Sequence, residues 1–455
     1  MERFLSHERY RITIPIIDLM IVYGSVVLSF SILHDSLAAP VDNWLAFENI
    51  ALYMGIFYLI IQHIFEFDKP KSFTLFEVGY TAALIMFCLV FSTMAICFLI
   101  REFAYPRSVL ILSSVLQFLF LLAWHLLTNK MYRNINRKKK VLIIGYDRTQ
   151  PFAYKLIESK GIWSDIQHIC KPENEKMKDY INECDITFIT EDVDEIKKQS
   201  IVHYCVEQNT TVIYEPRNPE ILLFNASFVQ LDDMPLLDVK QLKIQAISAT
   251  SKRTLDLALG LIGAIVFIIP ITIVYLCLKI GGGSAFFVQE RVTRGGRVFK
   301  IYKFRTMIEN AEALSGPVLA GDTDPRITKF GQVLRATRID EMPQIFNILK
   351  GDMSIVGPRP ERPFFVEQFK AEIPEYDLRH RVKAGLTGLA QVQGKYNTTA
   401  GDKLKYDLIY INAYSLALDL KLIMQTLNIL LKKSSTEGVK DVEAINEHVD
   451  QLFRD

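Results

Sequence analysis

Two adjacent carboxylates, Asp340 and Glu341, lie in the arginine-rich stretch RATRIDEMPQIFNILKG at residues 335–351. Pro343 is tolerated in a first helical turn and Gly351 is typical of a helix end, so a short helix is predicted between them. Neighbouring helical residues point about 100° apart, which predicts separate roles for the two acids rather than one shared proton. At a helix N-terminus Asp340 would stay ionised and attract phosphate, as a nucleophile requires, and Glu341 would hold Mg²⁺ together with substrate phosphates.

The charges around the acid pair favour phosphate chemistry. Between residues 281 and 362 Lys and Arg outnumber Asp and Glu, and such cations bind the non-bridging oxygens of phosphates. The segment 281–437 has no cysteine and only His380 as a histidine, which argues against Cys–His and Ser–His nucleophiles. An ordinary helix-capping role for Asp340 stays open, because Asp is a favoured N-cap residue in any protein.

Three ordered segments resemble one known family: FFVQERVTRGGRVFKIYKFRTM, DPRITKFGQVLRATRIDEMPQIFNILKGDMSIVGPRPERPFFVEQF and RHRVKAGLTGLAQVQGKY. They are similar to the bacterial sugar transferases, which are membrane-dipping polyprenol-phosphate phosphoglycosyl transferases, over residues 248–433. The N-terminal part resembles the long form that initiates exopolysaccharide, capsule and O-antigen synthesis. The resemblance implies that a hexose-1-phosphate passes from a UDP-sugar to undecaprenyl phosphate, with release of UMP and with Mg²⁺ as cofactor.

The resemblance also implies roles for single residues. Asp340 would be the nucleophile that forms a phosphosugar-aspartyl intermediate, and Glu341 would bind Mg²⁺. The other matching positions are the phosphate-binding candidates Lys303, Arg305 and Arg335, the uridine-side turn Pro358, Arg359 and Pro360, the further substrate-binding candidates Asp324, Arg326, Gln391 and Asp407, and the membrane-helix break Pro270. Thr293 follows QERV where the family often has glycine, which predicts a changed local turn and unchanged chemistry.

Four apolar stretches, at residues 12–33, 45–65, 79–100 and 109–127, are each long enough to cross a hydrocarbon core of about 30 Å. The loop at 34–44 has no Lys or Arg, whereas residues 130–140 form a dense basic cluster. By the positive-inside rule, the N-terminus and everything after residue 130 face the cytoplasm. A four-helix transmembrane bundle at 1–129 in the bacterial inner membrane is therefore predicted.

Alternating β-rich and helical runs from KVLIIG onward predict a Rossmann-like α/β domain at 137–247. A dinucleotide site needs a second glycine two residues after the first, but Gly145 is followed by Tyr146 and Asp147. A structural or regulatory domain is therefore favoured over an altered nucleotide site, which stays open.

A fifth apolar segment, at 255–280, has Pro270 in its middle and basic residues at both flanks. Proline bends a helix, and basic flanks at both ends favour a re-entrant helix at 248–280 over a kinked span. A small mixed helical catalytic domain at 281–437 would then lie at the cytoplasmic membrane interface, before a tail at 438–455. The segment YSLALDLKLIMQTLNILLKK predicts an amphipathic interfacial helix. The predicted fold class is thus multidomain, α plus α/β.

Other functions stay open on the residues alone. Asp322-x-Asp324 is the kind of pair with which metal-dependent glycosyltransferases hold Mg²⁺ or Mn²⁺, and such an enzyme would release UDP. A nucleotide-sugar dehydratase or epimerase shares four spans and a Rossmann domain, but the missing glycine argues against it. A non-catalytic scaffold for polysaccharide export is the third alternative.

The expected partners are a UDP-sugar, undecaprenyl phosphate and the lipid bilayer, without nucleic acid. The formal net charge of +1 gives no sign of an acidic macromolecular partner. No residue identifies the sugar, for which glucose and galactose are guesses, and homodimer contacts are one use for the N-terminal part. The six cysteines form no CxxC pair and fit a reducing compartment.

Overall fold

The computed structural model describes residues 7–37, 39–68, 75–135, 139–158, 165–239, 242, 246–308, 324, 326–394 and 398–430. It divides into two compact units. The first extends to Glu215 and includes 441–455, which lie outside the described residues, and the second runs from Pro216 to Lys440. The described part is mostly helical, with several long apolar helices near the N-terminus and a parallel sheet.

The N-terminal helices are α1 (His7–Leu33), α2 (Pro40–Ile64), α3 (Leu75–Ile100) and α4 (Arg107–Ile135). A short 3₁₀ helix, His34–Ser36, follows α1. Helix α1 contacts α2 and α4, and α3 contacts the same two helices. Each of the four is long and apolar enough to cross a membrane, as the four apolar stretches of the sequence predict.

A buried polar network joins three of these helices. The Oδ2 atom of Asp18 accepts hydrogen bonds from Gln62 Nε2 at 2.6 Å and from Tyr58 OH at 3.2 Å, and it lies 3.0 Å from His125 Nε2. The Asp18 side chain is fully buried. Because an unpaired acid inside an apolar helix is costly, these contacts specify which faces of α1, α2 and α4 meet.

The predicted parallel α/β sheet is confirmed. Its elements are β1 (Lys140–Ile144), α5 (Thr149–Glu158), β2 (Asp165–Cys170), α6 (Met177–Glu183), β3 (Ile186–Ile189), α7 (Glu195–Glu207) and β4 (Thr211–Tyr214). The strand order is β2-β1-β3-β4, and all neighbours are parallel. Along β1, Val141 and Ile143 pack in the cluster that contains α5 residues, whereas Leu142 and Ile144 pack in the cluster that contains α6 and α7 residues. Helices therefore cover both faces of the sheet.

The loop after β1 is filled by the protein's own carboxylate. The Oδ2 atom of Asp192, which follows β3, accepts from the backbone N–H of Tyr146 at 3.3 Å and of Arg148 at 2.9 Å. In a dinucleotide-binding fold such N–H groups face a pyrophosphate. A Cβ atom at Gly145 would lie 1.8 Å from the Thr190 hydroxyl, so this glycine serves close packing. These contacts favour the structural interpretation of the domain.

The second unit begins with α8 (Asn218–Leu223) and the hairpin β5 (Ser227–Leu231) and β6 (Met234–Asp238), followed by the long helix α9 (Ala246–Ile280). It continues with β7 (Phe286–Val292), β8 (Val298–Phe304), α10 (Lys329–Ala336), α11 (Gln344–Lys350), β9 (Ser354–Val356), α12 (Pro363–Glu372), β10 (Gly385–Thr387), α13 (Leu389–Gln393), α14 (Ala400–Asn412) and α15 (Leu416–Leu430). Three 3₁₀ segments, Arg294–Gly296, Ile339–Glu341 and Pro374–Arg381, complete the described elements.

The second unit starts before the boundary at 247/248 drawn from the sequence. Ile221 of α8 is fully buried in a cluster with Leu404 and Leu408 of α14, and Asn412 Nδ2 donates to the Ile221 carbonyl at 2.8 Å. Residues from 216 onward therefore pack with the unit that contains the acid pair rather than with the sheet.

Helix α9 continues through Pro270, and both its ends pack against the second unit. Near its start, Lys252 Nζ lies 2.6 Å from Asp419 Oδ2 of α15. Near its end, Val274 and Leu278 pack with Phe304 of β8 and Leu334 of α10. Between these contacts, the consecutive apolar side chains at 265–269 are all exposed. The bend predicted at Pro270 and a re-entrant path stay predictions.

Some expectations fall on residues that the structure does not describe. Asp322 of the Asp-x-Asp pair lies in the undescribed segment 309–323, and the end of the predicted amphipathic helix and the tail at 438–455 also lie outside the described residues. The amphipathic helix itself is present as α15, with Asp419 and Leu422 buried and Leu416 and Leu420 exposed.

Candidate active site

The acid pair lies in the 3₁₀ turn Ile339–Glu341, which Arg338 introduces with a left-handed φ of 56°. Helix α11 begins only at Gln344 and ends at Gly351, whose φ of 93° confirms the predicted helix end. The expectation that Asp340 stands at the helix N-terminus is therefore wrong. The Oδ1 atom of Asp340 is buried without a hydrogen-bond partner, so this oxygen caps no helix.

Glu341 is held between two cations. Lys303 Nζ on β8 lies 2.8 Å from Glu341 Oε1, and Arg359 Nη2 lies 3.1 Å from the same oxygen. Burial alone would raise the pKa of Glu341, but the charges of Lys303 and Arg359 hold it well below its usual range. Glu341 is thus a fixed negative charge at physiological pH.

Asp340 is in a different electrostatic position. Only 8% of the residue is exposed, and burial together with the neighbouring charge of Glu341 raises its pKa, against the opposing charges of Lys303, Arg335 and Arg338. The expected helix dipole would have lowered the pKa instead. The pair is therefore asymmetric, with one permanently ionised acid and one carboxylate that is easier to protonate and keeps a free oxygen.

Asn347, which the sequence analysis did not identify, joins the acid turn to the strand that carries Lys303. Its Nδ2 donates to the Lys300 carbonyl at 2.8 Å, and its Oδ1 accepts from the backbone N–H of Tyr302 at 3.1 Å. Asn347 is fully buried. A single α11 amide thus satisfies one donor and one acceptor of β8, which fixes Lys303 beside Glu341.

A second missed residue, Arg291 on β7, supports the turn at residues 358–360. Its Nη1 donates to the Pro360 carbonyl at 3.1 Å, and it lies 3.6 Å from Glu361 Oε2. Burial lowers the pKa of Arg291 to about 10, and its Nε is buried without a partner. The sequence carried a signal, because Arg291 and the acid Glu361 both stand in the segments that resemble the family, in QERV and in GPRPERP.

The two other predicted phosphate-binding cations, Arg335 and Arg305, make different contacts. Arg335 of α10 donates from Nε to the Thr306 hydroxyl at 3.1 Å, and its charge acts on Asp340. Helix α10 approaches closely because Gly331 meets the Thr306 backbone, where a Cβ would lie 2.0 Å from its carbonyl oxygen. Arg305 donates instead to the Gly282 carbonyl.

Asp324 and Arg326 pair with each other, with Oδ2 and Nη2 at 2.5 Å. The hydrogen bonds from Arg326 lower the pKa of Asp324 to about 2. The two residues thus form a local ion pair. Their predicted contact with substrate stays a prediction.

Asp407 reaches the site only through Arg379. Its Oδ2 lies 2.8 Å from Arg379 Nη2, which also donates to the Arg359 carbonyl at 3.0 Å. Both side chains are buried. Because Arg359 contacts Glu341, this chain of contacts positions the proline–arginine turn, and Pro358 adds a backbone bond from Gly385 at 2.9 Å.

Gln391 of α13 keeps both its amide oxygen and its amide nitrogen buried without a partner. Such a group is costly unless another group meets it. The structure does not bring Gln391 to the acid pair. Within the described residues, no three His, Cys, Asp or Glu side chains group as a metal cage, so Glu341 remains the candidate for an ion that is shared with substrate phosphates.

Comparison with known proteins identifies the family. A model described as bacterial sugar transferase matches residues 247–433. A Bacillus subtilis protein named "Putative undecaprenyl-phosphate N-acetylgalactosaminyl 1-phosphate transferase" is 49% identical over 28% of this chain and 72% of its own length. This chain belongs to the bacterial sugar transferase family.

Two longer relatives extend the comparison of this bacterial sugar transferase. The UDP-N-acetylgalactosamine-undecaprenyl-phosphate N-acetylgalactosaminephosphotransferase of Aeromonas hydrophila is 41% identical over 45% of this chain and 49% of its own length. The undecaprenyl-phosphate galactose phosphotransferase of Salmonella typhimurium is 26% identical over 84% of this chain and 85% of its own length. The chain spans about half the length of several curated relatives that it matches, the Aeromonas protein among them.

Proposed function

We propose that this bacterial sugar transferase moves a hexose-1-phosphate from a UDP-sugar to undecaprenyl phosphate, releases UMP and so initiates surface polysaccharide synthesis. The observation that carries the proposal is the asymmetric acid pair: a buried Asp340 with an unpartnered oxygen beside a Glu341 fixed by Lys303 and Arg359. The names of the relatives support the substrate classes.

In the first half-reaction, an Asp340 carboxylate oxygen attacks the phosphorus that carries the sugar. A bond forms between this oxygen and phosphorus, the phosphoanhydride bond breaks, and its electron pair leaves with UMP. Lys303, Arg335 and Arg359 offset the charge that builds up on the phosphate oxygens. The burial that raises the pKa of Asp340 also makes its ionised form a better nucleophile, since solvent no longer stabilises it.

In the second half-reaction, a phosphate oxygen of the lipid attacks the same phosphorus. The aspartyl–phosphorus bond breaks, Asp340 regains its electron pair, and the product is a lipid-linked diphosphate sugar. UMP leaves before the lipid enters, so one crowded encounter of two anions becomes two separate ones. Ping-pong kinetics follow from this order.

Mg²⁺ is proposed as the cofactor, and the residues present fit it. Mg²⁺ is usually held by one or two carboxylates plus substrate phosphates. Glu341, together with the phosphate oxygens of the substrate, provides such a set. When bound, the ion neutralises part of the diphosphate charge. Glu341 itself keeps the Lys303 and Arg359 side chains turned toward the site.

We further propose that the four N-terminal helices form a bundle in the inner membrane and that α9 enters and leaves on the cytoplasmic face. Two observations support the re-entrant path. Both ends of α9 pack against the same folded unit, and the exposed apolar residues 265–269 cover the full helix circumference. A helical stretch that is apolar and exposed on all sides fits insertion into lipid. The basic cluster after α4 supports a cytoplasmic orientation.

A homodimer is the proposed state, with a second copy of this chain on the β5–β6 hairpin. Both strands of the hairpin are exposed along most of their length, including Phe228, Leu236 and Leu237. An isolated two-stranded sheet is at best marginally stable in water. Phe228→Asp is expected to convert dimers into monomers by light scattering, whereas the exposed-site control Ile196→Asp leaves the mass unchanged.

The deciding experiment is a product assay on the purified full chain with undecaprenyl phosphate and a panel of UDP-sugars. The panel includes glucose, galactose and N-acetylgalactosamine donors, because the relatives are named for all three. UMP release and a sugar-phosphate adduct on Asp340 support the proposal. UDP release would indicate the alternative glycosyltransferase, and polymer formation with an inactive Asp340 variant would indicate the scaffold.

A further inference from the structure

A second site lies away from the acid pair, in a cavity of about 630 Å³ at the start of α9. We name it the basic cavity. Its charged lining comprises Lys252, Arg253, Asp256, Arg294, Arg381 and Lys383. None of these residues belongs to the acid pair or to the cations that contact it. The lining therefore holds five cations and a single acid.

Two of the cations and the acid are satisfied by the protein. Lys252 pairs with Asp419, and Arg253 donates to the Ile348 and Leu349 carbonyls at 2.7 and 2.8 Å. Asp256 accepts from the Ser354 hydroxyl and from the backbone of residue 355, each at 2.9 Å. These contacts hold the walls of the cavity in place.

The other three cations have no such partner. Among the described residues, no carboxylate lies within ion-pair distance of Arg294, Arg381 or Lys383. Burial lowers the pKa of Lys383, and the neighbouring charges of Arg253 and Arg294 lower it further against the opposing Asp256. Cations that lower one another's pKa repel each other, and an anion placed between them removes that repulsion.

Thr293 holds in place the turn that carries Arg294 into the basic cavity. Its hydroxyl donates to the Asp352 carbonyl at 3.0 Å and accepts from the backbone N–H of Ala384 at 3.1 Å. Gly295 and Gly296 follow with φ of 71° and 75°. These contacts fix Arg294 at the turn and set it next to the segment that carries Lys383.

The position of the cavity separates it from the acid pair. Lys303 lies five residues along β8 from Val298, which is about 17 Å at 3.3 Å per residue, and Arg294 lies beyond Val298 in the turn. The cavity also lies at the start of α9, where Lys252, Arg253 and Asp256 precede the continuous apolar run. This is the depth of lipid headgroups if α9 is inserted.

We infer that the basic cavity binds the phosphate group of a membrane lipid. The inference rests on the proposed membrane insertion of α9. The expected ligand is a lipid phosphate at headgroup depth, bound by the three unpaired cations Arg294, Arg381 and Lys383. Bulk anionic phospholipid and the polyprenyl phosphate acceptor share this chemistry, and the experiment separates them.

The experiment is native mass spectrometry of the delipidated full chain titrated with phosphatidylglycerol, phosphatidylcholine and undecaprenyl phosphate. We expect one molecule of an anionic lipid to be retained in preference to phosphatidylcholine. The double variant Arg294→Gln/Arg381→Gln should bind it about 25-fold more weakly, at about fivefold for each charge removed. Lys329→Gln, which removes an exposed cation elsewhere in the unit, should bind like the wild type.

Arg294 and Arg381 are exposed, so the double variant should form the Asp340 adduct in neutral detergent at the wild-type rate. This measurement separates failure of the lipid-binding inference from failure of the proposed activity. Displacement of phosphatidylglycerol by undecaprenyl phosphate would identify the acceptor as the ligand, and lack of displacement would identify bulk phospholipid. Equal binding by the double variant would overturn the inference. So would protection of Lys383 from acylation by inorganic phosphate but not by either anionic lipid.

Discussion

At Asp340 two effects compete, and burial prevails. The charges of Lys303, Arg335 and Arg338 favour the ionised carboxylate, but burial and Glu341 raise the pKa. The ionised carboxylate is poorly solvated, and the surrounding cations can stabilise the charge that develops when it attacks a substrate phosphate. A helix N-terminus would instead have lowered the pKa of Asp340.

The first prediction concerns the side chain itself. Asp340→Asn should reduce UMP release by at least about 10³-fold, since the amide cannot attack phosphorus. Folding should be unaffected, because Oδ1 has no hydrogen-bond partner to lose and the substitution removes a like-charge neighbour of Glu341. The measurements are UMP release and the thermal unfolding midpoint. The control is Lys329→Gln, which changes an exposed residue and should leave both UMP release and the unfolding midpoint unchanged.

The second prediction is the pH dependence of adduct formation in a single turnover. Asp340 must be deprotonated to attack, and its pKa is raised, so the rate should fall on acidification at a higher pH than an ordinary aspartate would give. Lys303 must be protonated, and burial lowers its pKa. The alkaline fall should therefore begin below the range of an ordinary lysine. A rate that stays flat down to the ordinary aspartate pKa would contradict the role of Asp340.

The residues of the site were predictable to the extent that their chemistry is visible in the sequence. Asp340, Glu341, Lys303 and Arg359 are charged and stand in motif segments, and the structure brings them together. Asn347 was not predictable, because its role depends on which strand crosses α11. Asp407 was singled out without its mechanism, since Arg379 links it to the site only through a tertiary contact.

At the scale of elements, buried charge pairs position the active-site turn. Asp407 of α14 and Arg379 are both almost fully buried, and Arg379 passes the constraint to the Arg359 backbone. A buried pair of this kind contributes little net stability, but removal of one partner leaves the other charge uncompensated. Asp377 provides the contrast, because its side chain is 60% exposed and pairs with His380 and Lys370.

The third prediction compares these two acids. Asp407→Ala should lower the free energy of unfolding of the second unit by about 3–5 kcal/mol, whereas Asp377→Ala should cost about 1 kcal/mol or less. Denaturant titration of the full chain, followed by a probe in the second unit, measures both. Equal effects of the two substitutions would show that Asp407 does not position the turn through Arg379.

The period and length of the hydrophobic patterns in the sequence were enough to predict some helices and strands but not others. The long apolar helices and the parallel sheet follow from hydrophobic patterns that persist over many residues. Gly351 ended α11 as predicted, because a left-handed helix end requires glycine. The exposed hairpin at 227–238 was missed, since its residues are apolar on both faces and give no alternation to recognise.

At the scale of the whole molecule, the proposed reaction needs the active site and the UDP-sugar on the same side of the membrane. That condition depends on α9, because a full crossing would put residues 281–437 on the opposite side from the sheet. Its exposed apolar middle and its two packed ends support the proposed entry and exit on one face.

The fourth prediction tests this path by labelling with a membrane-impermeant maleimide in intact spheroplasts. Three exposed serines serve as cysteine sites: Ser36 after α1, Ser200 in α7 and Ser284 after α9. Ser36→Cys should be labelled, whereas Ser200→Cys and Ser284→Cys should be labelled only after permeabilisation. Each is compared with the parent chain, whose native cysteines set the background. Labelling of Ser284→Cys together with Ser36→Cys in intact cells would make α9 a full span and place Asp340 where cytoplasmic UDP-sugars cannot reach it.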